Sequence, residues 1–181
     1  AKRIPNNCSL FINIGTTTEE VASALADHED LLVITNNLNV AMLIHRFPRI
    51  DVIVAGGSVR KGDGAVVGST AIGLIRQFKV DFAIIGASAT YRDEEGTLLD
   101  YDFREVQVAQ AIIENARHVI LVADSTKLTR RAPVRIAHLS QINTFVTDHL
   151  PSPPLRALCQ THAIQLVETL DRPAAPPEGQ D

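Results

Sequence analysis

Short apolar runs and longer amphipathic stretches alternate along the chain, and that alternation predicts its elements. Strands are expected at residues 9–13, 31–35, 51–55, 81–86, 119–123, 144–147 and 164–167. They are rich in Val and Ile, and several are apolar at consecutive positions, the pattern of strands covered on both faces, as in a parallel sheet. Helices are expected at 18–25, 38–46, 70–77, 103–116 and 154–161. The fourth is the clearest: Phe103, Val106, Ala109, Ile112, Ile113 and Ala116 share one face, with Arg104, Glu105, Gln107 and Glu114 elsewhere. Strands alternating with helices predict an α/β fold, an open and mostly parallel sheet flanked by helices with right-handed crossovers.

Two stretches break the alternation. Residues 56–68 carry five glycines and two cations, and residues 91–102 are rich in charge. Both follow expected strands, as do the turns at 15–18 and 124–127. The four polar loops therefore belong to the carboxyl edge of the sheet, where open α/β folds bind ligands. The segment 172–181, with three prolines and little that can pack, is expected to be disordered, leaving 1–171 as one domain.

Composition narrows the choices. A net charge of −4 and a pI near 5.9 argue against a stand-alone nucleic-acid binder, which needs a basic excess to neutralise phosphates. No apolar run approaches the ~18 residues of a membrane span, so a cytoplasmic location is expected. Cys8 and Cys159 lie far apart, and His28, His45, His118, His138, His149 and His162 show neither metal spacing nor a nucleophile partner, so no metal, cofactor or catalytic site is assigned to them. The chain opens at Ala1 without methionine, which leads us to expect a fragment of something longer.

The turn Gly15-Thr16-Thr17-Thr18 is the most informative segment. It joins an apolar strand to a helix; glycine allows close backbone approach, and hydroxyls with unpaired N–H groups at a helix start cradle anions. The alternative is purely structural: Thr16 with Glu19, and Thr17 with Glu20, each fit a capping box. Gly56-Gly57-Ser58-Val59-Arg60 offers two side-chain-free residues and then a guanidinium able to grip phosphate bidentately, or else a flexible surface loop. Gly62, Gly64 and Gly68 have the wrong spacing for a dinucleotide loop. In Asp124-Ser125-Thr126-Lys127 the lysine is a movable charge suited to a phosphate dianion, whereas Arg130 and Arg131 read as a solvated basic loop. Asp100 and Asp102 flank Tyr101 just before the longest helix; Asp102 is expected to cap it and Asp100 to meet ligand hydroxyls. Asn36 and Asn37 close the second strand, with helix capping as the main expectation and a secondary ligand contact by Asn36 beside it.

Taken in order, Phe11-Ile12-Asn13-Ile14-Gly15-Thr16-Thr17, Val33-Ile34-Thr35-Asn36-Asn37-Leu38-Asn39, Gly56-Gly57-Ser58-Val59-Arg60 and Asp124-Ser125-Thr126-Lys127 resemble the effector-binding domain of DeoR-type transcriptional repressors. The stretches 35–41, 96–102 and 111–119 are similar to members concerned with glycerol 3-phosphate. The resemblance implies a fold like that of ribose-5-phosphate isomerase and CoA-transferase domains. It implies a phosphorylated sugar or polyol as effector, glycerol 3-phosphate foremost, and no catalysis. Operator DNA would be bound by an N-terminal winged helix-turn-helix absent from this chain, within a homodimer or homotetramer. Phosphate would sit at Gly15–Thr18 with help from Gly56, Gly57, Arg60 and Lys127, and Asp100, Tyr101 and Asp102 would lie nearer the hydroxyl end. Two positions depart from the family pattern: Asn13 stands where aspartate is common, and Leu128-Thr129 where an aromatic and a glycine are common. A sugar-phosphate isomerase on the same fold is the alternative; it needs a carboxylate base close to the transferred proton.

Overall fold

The computed structural model describes residues 1–90 and 96–169. Part of the charged stretch 91–102 and the whole 172–181 tail lie outside the described residues.

The seven expected strands form one sheet. In chain order they are β1 (Cys8–Ile12), β2 (Leu31–Thr35), β3 (Ile50–Val54), β6 (Val80–Gly86), β9 (Ala116–Val122), β11 (Thr144–Thr147) and β12 (Gln165–Glu168). The sheet is parallel throughout, in the order β12-β11-β9-β6-β1-β2-β3. Five helices connect them: α1 (Thr16–Ser23), α2 (Leu38–Ile44), α3 (Ser69–Ile75), α4 (Phe103–Glu114) and α5 (Pro153–Thr161).

Strand alternation explains the two-sided core. Phe11 and Ile34 face the cluster shared with α3, α4 and α5, while Leu10, Ile12 and Val33 face the cluster shared with α1 and α2. The inner strands β1 and β2 are thus covered on both faces, which is why their sequences read as nearly continuous apolar residues, whereas the edge strands β3 and β12 are partly exposed.

Five short strands were not apparent from the pattern. β4 (Ser58–Val59) and β5 (Val66–Val67) form a hairpin, and β7 (Ala89–Thr90), β8 (Thr97–Asp100) and β10 (Val134–His138) form a small antiparallel sheet. All four residues of β8 are buried, although they sit in a stretch that reads as a polar loop. The apolar pair Leu98-Leu99 is too short to signal a strand before its partner β10 is known.

α4 also differs from its expected face. Phe103 is exposed, whereas Glu105 is buried with Val106, Val108, Ala109 and Ala111. The buried stripe is wider than the expected one and turns towards the carboxyl edge of the sheet.

Candidate functional site

The chain runs from β1 outward to β2 and β3, then returns to the other side of β1 as β6. The reversal places the topological switch point between the carboxyl ends of β1 and β6, where adjacent loops part and leave a crevice. A cavity of about 420 Å³ lies there, walled by Gly15–Thr18 after β1, Gly86–Ser88 after β6, the hairpin residues Arg60 and Asp63, the segment Asp100–Asp102, Glu105 of α4, and Lys127. That volume suits a small ligand.

The first wall is the β1–α1 turn. Gly15 is the N-cap at φ 137°, a conformation that favours glycine, and no side chain caps the helix. The capping boxes are therefore not formed. Glu19 Oε1 instead accepts from Asn37 Nδ2 and Asn39 Nδ2, each at 3.0 Å, which ties α1 to the start of α2. The first turn of α1 keeps its N–H groups and positive dipole end for whatever enters the cavity. Thr18 is fully buried, and its hydroxyl oxygen lies 2.7 Å from the carbonyl oxygens of both Asn13 and Gly15, to either of which it can donate. Thr18 stands at the back of the cavity wall, where its hydroxyl braces the turn.

Lys127 stands in a short 3-10 turn, Ser125–Thr129, capped by Asp124 through the Thr126 amide at 3.0 Å. The Asp148 carboxylate anchors the same turn by accepting from the Ser125 amide at 2.6 Å and hydroxyl at 2.9 Å. Lys127 itself has no ion-pair partner among the described residues. Sequence reading missed Asp148 as a positioning residue, because its partner is 23 residues away.

The opposite wall is acidic. Arg60 Nε donates to Asp63 Oδ1 at 3.1 Å, its NH2 group donates to Asp63 and Glu105, and its NH1 lies 3.3 Å from Asp102. Hydrogen bonds with Asp63, reinforced by the Glu105 charge, hold the guanidinium more firmly protonated than usual. Arg60 lines the cavity with its Nε and NH2 donors engaged by protein carboxylates, so a bidentate grip on phosphate through that edge would compete with Asp63 and Glu105. Asp102 caps α4 by accepting from the Arg104 amide at 2.8 Å, as expected. The paired Arg104 side chain leads the effects that keep Asp102 well below the usual carboxylate range. Asp100 is buried, and one of its oxygens accepts from the Tyr101 amide at 2.6 Å; Tyr101 is exposed. Glu105 is driven the other way: burial first, then the nearby Asp100 charge, raises it to about 7 despite Arg60. Helical periodicity had placed Glu105 on the polar face, so this buried acid was not anticipated.

Three expected contacts do not line the cavity. Asn36 is buried beneath the hairpin, its side-chain Nδ2 donating to the Val66 carbonyl at 3.3 Å and its backbone carbonyl accepting from the Val66 amide at 2.7 Å. Gly57 lies so close to β5 that an added Cβ would sit 2.7 Å from the Val67 carbonyl oxygen, and Gly56 precedes it outside the cavity. These residues fold the hairpin that carries Arg60. Asn37 caps α2 by accepting from the amides of Asn39 and Val40, as expected.

The model of the DeoR C-terminal sensor domain matches residues 1–149. The chain belongs to that family. It is 50% identical over 151 residues to the glycerol-3-phosphate regulon repressor of Haemophilus influenzae, covering 83% of this chain and 58% of that protein. It is 43% identical over 166 residues to the repressor of the same name in Escherichia coli, covering 92% and 65%. The HTH-type transcriptional repressor CsqR of Escherichia coli is 35% identical, over 92% of this chain and 63% of its own. The sensor domain thus spans roughly three-fifths of the length of these relatives.

Solved structures show the fold. Ribose 5-phosphate isomerase A of Methanocaldococcus jannaschii superposes with a TM-score of 0.50 at 15% identity, over 71% of this chain and 49% of that one. The eIF2B delta subunit of Chaetomium thermophilum reaches 0.56 at 13% identity, over 80% and 50%. Among the described residues no helix is long and apolar enough to cross a membrane, and no group of three or more His, Cys, Asp or Glu side chains is placed to hold a metal ion.

Proposed function

We propose that this domain senses a phosphorylated sugar or polyol, glycerol 3-phosphate foremost, and controls operator binding by a DNA-reading domain in the longer protein. The observation that carries this reading is the pairing, in one cavity, of a helix start without a side-chain cap with a lysine that has no ion-pair partner among the described residues. Both favour a dianion at the same end of the site. The names of the relatives point to the same compound.

No catalysis is required. Ligand binding need only favour one arrangement of the full protein; a coupling of roughly 1–3 kcal/mol changes operator affinity ~5–150-fold. The test is a thermal-shift panel of glycerol 3-phosphate, glycerol, fructose phosphates, deoxyribose 5-phosphate and inorganic phosphate. A ligand at ~100 times its Kd stabilises the fold by about 2.7 kcal/mol. Glycerol 3-phosphate is expected to give the largest shift, and Lys127→Ala and Thr17→Glu to abolish it. An unchanged shift in both variants would refute the site. Turnover of pentose or hexose phosphates would replace the sensor with an isomerase.

A further inference from the structure

The two faces of the large sheet are not covered alike. Helices α3, α4 and α5 all contribute to the core on one face, and among the described residues only α1 and α2 do so on the other. On that second face α1 lies against β6, and α2 against β2 and β3. The sheet continues past α1 through β9, β11 and β12 with no helix layer among the described residues. The side chains there are apolar. Val122, Val146 and Val167 are register partners on the three strands and form one row. Val122 is nearly covered, whereas Val146 and Val167 are partly exposed. Ile4, Val21 and Ile120 complete a hollow of about 610 Å³ over the row.

An all-parallel sheet is ordinarily covered on both faces. The axes of three adjacent strands span ~10 Å, which is the width of a single α-helix. The hollow therefore matches one further helix in the layer that α1 and α2 begin.

The first four residues decide which helix that is. Ala1 to Ile4 line the hollow, and Ile4 is buried in the same core, so residue 1 is held at its rim. The Ala1 amine is partly withdrawn from water, and that burial lowers its pKa. The relatives are longer, since this chain covers 58% and 65% of two of them. A segment joined to residue 1 meets the face at high effective concentration, an advantage that a separate molecule lacks. A second copy fits less well, because a two-fold contact would bring two rims carrying Lys2 and Arg3 into one interface.

We infer that the open face of β9, β11 and β12 seats an amphipathic helix supplied by the segment that joins residue 1 in the longer protein, with its apolar stripe on the valine row. Val122 also lines the ligand cavity, so the docked helix shares a wall with that cavity.

Hydrogen exchange read by mass spectrometry on the full-length protein tests this, in the wild type, Val146→Asp and Val167→Asp. Neither valine lines the ligand cavity. The segment just before residue 1 is expected to exchange slowly in the wild type and at least ~10-fold faster in both variants, because a carboxylate under an apolar stripe is costly. In the 181-residue chain the same substitutions are expected to lower the thermal midpoint less than in the full-length protein. Val167→Thr keeps the branched shape and tests the same contact where aspartate prevents folding. Fast exchange of the segment in the wild type, or slow exchange unchanged in the folded variants, would overturn the docking. A dimer of the 181-residue chain in sedimentation, dissolved by Val146→Asp, would make this face an interface between copies instead.

Discussion

The Asp148 carboxylate accepts from Ser125 twice, from its amide at 2.6 Å and from its hydroxyl at 2.9 Å. The residue just past β11 thereby holds the turn that carries Lys127, so a residue outside the cavity sets where the cavity's lysine stands.

Burial alone would raise the Asp148 carboxyl, but the Ser125 hydroxyl and amide, the His149 amide and the Thr147 hydroxyl together lower it to about 2. A depressed carboxylate contributes stability above its unfolded value of 3.8, and loses it as pH falls towards 2. Asp148→Ala is expected to cost about 1–3 kcal/mol at neutral pH. Urea unfolding should show that gap closing as the pH is taken below 3.8. The variant should also bind glycerol 3-phosphate more weakly, because Lys127 loses its fixed mount.

Glu105 has the opposite sign. Its folded value of about 7 lies above the unfolded 4.5, so its contribution is complete below 4.5 and is lost as pH rises to about 7. The interval corresponds to about 3 kcal/mol. Glu105→Gln, which keeps the shape and removes the titration, is expected to match the wild type near pH 4.5 and to be more stable by up to about 3 kcal/mol above pH 7. Denaturation midpoints across that range give the comparison. A stabilising substitution within the cavity is the mark of a residue retained for binding at the expense of stability.

The two glycines flanking Arg60 separate a packing requirement from a backbone one. At Gly57 (φ 153°) an added Cβ would lie 2.7 Å from the Val67 carbonyl, while at Gly62 (φ 105°) it would meet nothing within 4 Å. Gly57→Ala is expected to destabilise by about 1–3 kcal/mol through the clash with a backbone that cannot yield. Gly62→Ala carries only the conformational cost of about 1 kcal/mol. Because Gly57 does not line the cavity, the folded fraction of Gly57→Ala should retain wild-type affinity for glycerol 3-phosphate in titration calorimetry.

These expectations also show what was legible in the chain. All seven strands of the large sheet were visible, since the inner ones are buried on both faces and even the edge strands β3 and β12 carry Val, Ile or Leu in a short run that reads without help from a partner. β8 and β10 become strands by pairing in the small sheet, β8 between β10 and β7, so Leu98-Leu99 and Ile136-Ala137 gave no separate signal. In the cavity, Gly15, Thr16, Thr17, Asp100, Tyr101, Asp102 and Lys127 were legible from loop position and residue type, and all line it. The roles of Arg60 and Glu105 were not. They lie 45 residues apart and define one another, the arginine by turning its Nε and NH2 donors to carboxylates and the acid by being drawn inside. No local period encodes such a pair.

Glu19 offers the sharpest separation of charge from tethering. It sits in the first turn of α1, where a carboxylate opposes a bound anion, and its Oε1 accepts from both Asn37 and Asn39. Glu19→Gln keeps an acceptor oxygen for the two amides and removes the charge. Affinity for glycerol 3-phosphate is expected to rise ~2–5-fold, the value of one charge at a helix terminus. Glu19→Ala removes both, leaving the Asn37 amide without its acceptor, and is expected to cost about 1–2 kcal/mol of stability and to loosen the turn that receives the phosphate. Opposite changes in affinity for the two variants would identify the helix start as the anion-binding end. Tighter binding by neither would place the phosphate elsewhere in the cavity.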